Sequence, residues 1–129
     1  MENSRNQRQT VGKLGEDTAC DFLQSKGHHI LARNYRSGHL EIDIISVSAY
    51  GIHFVEVKSR CKSIQAPPQD NVDHAKQRRI ATAAKRFLKG TKGLPYNNSE
   101  CHFDIVAVVF ADKEIQLEYF PDAFIPIYL

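Results

Sequence analysis

The chain of 129 residues is long enough for one domain with its own core and too short for two. Hydrophobic residues make up 42% and charged residues 25%, which excludes a disordered chain, and a formal net charge of +2 excludes a polycation that binds nucleic acid with its whole surface. No apolar run approaches the roughly 20 residues that span a bilayer. The polar first nine residues lack the apolar stretch of a secretion signal. The expectation is a cytoplasmic protein with no membrane contact.

Residues 1–9 read as a flexible polar leader, and residues 10–129 as a single domain. Over 10–26 the pattern is helical, with Val11, Leu14, Ala19, Phe22 and Leu23 as an apolar stripe and Gly27 as the stop. Residues 28–36 read as a first strand. Ser37-Gly38 turn the chain into a second strand over 39–47, where Leu40, Ile42 and Ile44 face one way and Glu41, Asp43 and Ile45 the other. Ala49-Tyr50-Gly51 form the next turn, and a third strand runs over 52–59.

Residues 60–70 read as a loop marked by Pro67-Pro68. A second helix over 73–88 follows, with Val72, Ala75, Ile80, Ala83, Ala84, Phe87 and Leu88 on its apolar side and Gly90 at its end. Its opposite side carries Lys76, Arg78, Arg79, Lys85, Arg86 and Lys89. After a polar loop, strands are predicted over 101–110 and 115–120, joined by a turn at 111–114. The tail over 121–129 is apolar enough to dock on the body or on a second subunit. The order is helix, three-strand meander, helix, strand, strand. A helical crossover between the meander and the fourth strand implies an α/β fold with a mixed sheet and helices on both faces.

The cysteines, Cys20, Cys61 and Cys101, lie far apart, and without a secretory signal they read as free thiols. The histidines show no zinc spacing. The chemistry concentrates on Asp43 of the second strand and on Glu56 and Lys58 of the third. Glu56 and Lys58 share a strand face, and the hairpin between the strands brings Asp43 toward Glu56. Two carboxylates and an ammonium among Val and Ile are costly as core and useful as a metal site for phosphodiester hydrolysis. Asp43 and Glu56 would supply hard oxygen ligands for Mg²⁺ (or Mn²⁺), with the backbone carbonyl of Val57 as a further one. Lys58 would position the attacking water and stabilise charge on the phosphorane. A cross-strand salt bridge is the competing account of the same three residues.

Glu16 lies near the apolar side of the first helix, just after Gly15. A small residue there lets the helix approach the sheet, so Glu16 is a further candidate ligand. Glu41 is a ligand, an orienter or an ion-pair partner of Arg33 or Arg36. Lys76 and Gln77, in the first turns of the second helix, could reach back to the water or a phosphate. Arg78, Arg79, Lys85 and Arg86 are candidate phosphate contacts. Asp104 is a supporting group or a strand-end polar residue.

These residues carry a resemblance. Gly15-Glu16, Ala19, Phe22-Leu23, Gly27, Ile30-Leu31 and Arg33-Asn34-Tyr35-Arg36 are followed by Glu41-Ile42-Asp43-Ile44-Ile45 and Phe54-Val55-Glu56-Val57-Lys58-Ser59-Arg60. Lys76-Gln77-Arg78-Arg79-Ile80 and Phe103-Asp104-Ile105-Val106-Ala107-Val108 complete the series. In that order and spacing the chain resembles the YraN-like family of small bacterial proteins. That family is assigned to the restriction-endonuclease-like, PD-(D/E)XK, superfamily, near archaeal Holliday-junction resolvases. The resemblance implies a central mixed sheet of about five strands flanked by helices. It implies that Asp43, Glu56 and Lys58 fill the acid, acid and lysine positions, that Glu16 matches the first-helix glutamate, and that Lys76 and Gln77 match the helix position after the motif. Leu40 departs from the pattern, which has glycine before the second-strand glutamate.

The expected function is a metal-dependent endonuclease acting on DNA, with branched or repair intermediates as the substrate type and a homodimer as the form suited to a two-fold junction. The alternative is a module that keeps the fold without cutting and binds nucleic acid, or binds another protein through its apolar tail.

Overall fold

A computed structural model describes residues 4–62 and 72–126, with side chains from Thr10 onward. The element order is α1 (Ser4–Ser25), β1 (His29–Ser37), β2 (Leu40–Ser48), β3 (Gly51–Cys61), α2 (His74–Lys89), a 3₁₀ turn (Leu94–Tyr96), β4 (Cys101–Phe110) and β5 (Ile115–Phe120). Among the described residues the strands form one five-stranded sheet in the order β1-β2-β3-β4-β5. All neighbours are antiparallel except β3 and β4, which run parallel. A parallel pair needs a long crossover, and α2 lies in it. The α/β architecture and element order agree with the expectation.

The helices cover opposite faces. Under α2 lie Leu40, Ile42, Ile45, Ile52, Phe54, Phe103 and Ile105, met by Ile80, Ala83, Ala84 and Phe87. Under α1 lie Ile44, Val55, Val106 and Val108, met by Ala19, Cys20 and Leu23. The alternation of β3 and β4 produces this division directly: Ile52 and Phe54 go one way and Val55 the other. Phe124, from the tail, stacks beside Phe103 with ring centres 5.4 Å apart, and Ala123 N–H donates to the Phe103 carbonyl. The tail therefore docks on the body through Phe124 and Pro126, which are buried, while Ile125 between them is exposed. Residues 127–129 lie outside the described residues, as do residues 63–71, which hold most of the expected loop.

Several boundaries differ from the sequence reading. Helix α1 starts at Ser4, where a leader was expected through residue 9. Nothing from Ser4 to Gln9 breaks a helix, and Arg and Gln are good formers, so polarity was a poor guide. Leu14 is exposed; the buried stripe runs through Gly15, Ala19, Cys20 and Leu23. Strand β3 runs on through Arg60 and Cys61, because its parallel register with β4 continues to Cys61↔Phe110. In α2, Asp73 accepts from the Lys76 N–H and caps the first turn, and Ala75 is exposed while Ala81 is buried.

The largest correction concerns β2. Leu40, Ile42 and Ile44 do not share a face: Ile42 packs under α2 and Ile44 under α1. The paired strand changes face at the same place. Arg33, opposite Ile44, bonds Asp17 of α1, whereas Tyr35, opposite Ile42, meets Phe87 of α2. Between them stands Asn34 at φ 51°, a left-handed residue that rotates the strand and breaks the period of two. Asp43 lies between Ile42 and Ile44, at the point of the break.

Helix α1 comes close to β3 at Gly15, where an added Cβ would collide with Oγ and Cβ of Ser59. Gly15→Ala should therefore lower stability by about 1–3 kcal/mol, the usual cost of overpacking. Ser59→Gly in the same chain should recover much of the loss; urea unfolding of both variants checks this.

Candidate functional site

The β2–β3 ladder runs from Ser48↔Gly51 to Ile44↔Val55 and ends there. The next residue of β2 is Asp43, and its side chain takes over from the ladder: Oδ2 accepts a 2.8 Å hydrogen bond from the Val57 N–H. The strands separate around this bond and leave a cleft of about 210 Å³ lined by His39, Leu40, Glu41, Asp43, Glu56, Lys76, Arg79 and Ile80. Two acids on β2, one on β3 and two bases on α2 thus converge where two interior strands of the sheet part.

Electrostatics single out Asp43. Burial, then the charge of Glu56, push its carboxyl up to about 7, against the Val57 hydrogen bond and Lys76, which lower it. Glu56 is only 8% exposed. Its Oε1 lies 2.5 Å from Lys76 Nζ. Burial works against the lysine's charge, but the bond to Glu56 and the charge of Asp43 outweigh it and hold the ammonium above its ordinary range. Lys76 is thus the counter-ion of the acidic pair.

The other expected site residues fall around this core in different ways. Lys58 shares the Glu56 face by alternation but does not line the cleft, where Lys76 meets Glu56. Glu41 is exposed, sits across from Arg36 on β1, and approaches it to 3.8 Å. Gln77 points its amide back to the Val72 carbonyl at 2.9 Å, so it fastens the start of α2 rather than reaching the cleft. Arg79 lines the cleft. Arg78 and Lys85 are exposed on α2. Arg86 bonds Ser37 at the β1–β2 turn.

Glu16 stands on the α1 side, in a separate cleft with Gly12, Lys13, Asp17, Arg33 and Asn34. Burial raises its carboxyl; Glu41, Asp17 and Glu56 add to the rise while Arg33 opposes it. Its Oε1 is buried without a hydrogen-bond partner. An acceptor left in that state is a cost that a bound cation or water would remove. Among the described residues, no group of three or more His, Cys, Asp and Glu side chains is gathered at metal-binding range. Glu16 therefore does not close with Asp43 and Glu56 into a three-acid cage. Two strained carboxylates with room beside them fit a hard dication that keeps most of its waters, such as Mg²⁺.

Asp104 is not part of this cleft. It is fully buried under α1 and accepts from His53, Tyr119 and the Asp122 N–H. The sequence reading did not single out His53, His28 or His102, whose rings stack in a column. The signal was present in the form of a polar residue inside an apolar strand, Ile52-His53-Phe54, which requires a buried partner.

Fold and cleft together define a small α/β protein with a mixed five-stranded sheet and an acid-lined cleft between β2 and β3. Residues 15–108 match the uncharacterised protein family UPF0102. A UPF0102 protein of Anaeromyxobacter dehalogenans is 38% identical over 91% of this chain and 85% of its own length. One of Desulforapulum autotrophicum is 39% identical over 92% and 96%, and one of Chlorobium phaeobacteroides 37% over 88% and 93%. The chain belongs to the UPF0102, or YraN-like, family. No helix among the described residues is long and apolar enough to cross a membrane.

The raised Asp43 carboxyl has a consequence for stability. A group whose folded pKa lies above its unfolded one, here about 7 against 3.8, contributes stability at low pH and loses it as pH rises through 7. Asp43→Asn should stabilise the metal-free protein by roughly 1–3 kcal/mol at pH 8, and the gain should vanish near pH 4. Thermal unfolding at the two pH values checks this.

Proposed function

We propose that the cleft hydrolyses phosphodiester bonds in DNA with Mg²⁺ or Mn²⁺, as an endonuclease whose substrate type is branched or repair DNA. The observation that carries this reading is the Asp43–Glu56 pair, set where the described β2–β3 ladder ends, with burial and the charge of Glu56 raising the Asp43 carboxyl. Like charges are held at such a cost where function needs them. A dication there would offset the charge of a phosphate and make a bound water more acidic. Asp43 and Glu56 would hold it, with the Val57 carbonyl, and Glu16 would approach from the α1 side.

Within this reading Asp43 is kept pointing into the cleft by the Val57 N–H, so its second oxygen is the one left to coordinate. Lys76 occupies the acids until the cation arrives, and its ammonium is then released toward a phosphate or the attacking water. Lys58, on the same face of β3 as Glu56, would be a second amine on that side of the strand. Arg79, with Arg78, Lys85 and Arg86 further along α2, would follow the backbone of the nucleic acid.

A second reading rests on Lys76. Its ammonium already offsets the acidic pair, which suits a module that binds nucleic acid without cutting. The two differ in a simple assay. Asp43→Ala, Glu56→Ala and Lys58→Ala should each reduce Mg²⁺-dependent cleavage of branched DNA by about 100-fold or more while the fold persists. Binding that survives chelation, with no cleavage in any divalent metal, would establish the non-catalytic reading instead. Equal cleavage by the wild type and all three variants would assign the activity to a contaminant.

A further inference from the structure

A second set of polar side chains lies at the β2–β3 turn, on residues outside the acidic cleft. Ser48 closes β2 and pairs with Gly51 across the turn. Its Oγ is 2.7 Å from His53 Nε2, and His53 Nδ1 is 2.7 Å from Asp104 Oδ2. Burial by itself would raise the Asp104 carboxyl, but the bonds from His53, Tyr119 and the Asp122 N–H more than offset it and hold it below its ordinary range. Asp104 is thus an anion that only accepts.

With a neutral His53 ring, that condition sets the direction of both hydrogen bonds. His53 must donate to Asp104 through Nδ1, so in the neutral ring Nε2 is an acceptor. Ser48 must then donate its hydroxyl proton to Nε2. The Tyr50 N–H donates to Ser48 Oγ at 3.1 Å and takes one of its lone pairs, leaving one to attack. The His53 ring is held between two others, His28 at 4.4 Å and His102 at 4.8 Å. His28 is itself bonded to Ser46, and His102 to Asp122 and the Tyr50 carbonyl. The base therefore cannot swing away from Ser48. His53 and Asp104 are buried, Ser48 is half-buried, and Ala49 and Tyr50 beside it are exposed.

The geometry points to Ser48 as an activated nucleophile, with His53 as its base and Asp104 as the group that orients the base, reactive toward activated esters and phosphonyl groups. Both hydrogen bonds lie in the range of a nucleophile–base–orienter set, which is recognised by geometry rather than by position in the sequence. In the reaction, Ser48 Oγ bonds to the carbonyl carbon and its proton passes to His53 Nε2. The carbon–oxygen bond to the leaving group breaks with its electron pair, and His53 returns the proton to that oxygen. Water then attacks the acyl carbon as its proton passes to His53 Nε2, the bond from that carbon to Ser48 Oγ breaks, the acid leaves, and His53 returns the proton to Ser48 Oγ. With a fluorophosphonate, a phosphorus–oxygen bond forms, fluoride leaves, and the adduct persists. The inference is independent of the nuclease reading, since no residue is shared with the acidic cleft.

The test is to incubate the full-length protein with a fluorophosphonate probe at neutral pH and map the adduct by mass spectrometry. One adduct on Ser48 is expected in the wild type and none on that peptide in Ser48→Ala. His53→Gln should slow labelling by about 100-fold or more, the usual worth of a general base. Should His53→Gln fail to fold, wild type unfolded in urea serves the same purpose, because labelling must disappear with the relay. No adduct on Ser48, or equal labelling of the folded and unfolded chain, overturns the proposal.

Discussion

One hydrogen bond organises the acidic cleft: the Val57 N–H to Asp43 Oδ2. It stands where a backbone carbonyl of β2 would otherwise continue the ladder. The substitution satisfies a buried donor, so the sheet loses little by parting there. What it gains is a carboxylate fixed inside the protein, facing Glu56. The cost appears in the carboxyl of Asp43, raised by burial and by its neighbour. Lys76, brought in by α2, lowers that cost without removing it.

The two strands could not part if their side chains kept strict alternation. Asn34, in its left-handed conformation, turns β1, and β2 turns with it across the Arg33↔Ile44 and Tyr35↔Ile42 rungs. Ile42 is delivered to the α2 core and Ile44 to the α1 core, so both helices are anchored by neighbouring residues of one strand. Gly15 lets α1 come within reach of Ser59, and Glu16 beside it lines a separate cleft on the α1 side. Its unpartnered oxygen and the Asp43–Glu56 pair mark two places where burial raises a carboxyl.

At the turn end of the same hairpin the balance is different. Asp104 has three donors, and its charge is fully accommodated. The network joins β2, β3, β4, β5 and the start of the tail, with His28 bringing in the segment before β1. A sheet with a disrupted ladder at one end is thus tied by side chains at the other.

The sequence by itself determined the elements and their chemistry. The alternation of Phe54-Val55-Glu56-Val57 set strand and face together, the stripe through Phe87 and the stop at Gly90 set α2, and the bounds of β4 and β5 followed from their apolar runs. Asp43 and Glu56 could be named because carboxylates among Val and Ile are expensive wherever they point. Only the tertiary structure decided which amine meets them. Lys76 and Lys58 are equally good cations in a sequence, and it is the packing of α2 on the sheet that brings Lys76 to Glu56. It also decided that Ile42 and Ile44 part company and that His53 finds Asp104 51 residues away. Local patterns record which side chains need burial or a partner. The partner itself is set by strand order, register and a single left-handed residue, which no local pattern contains.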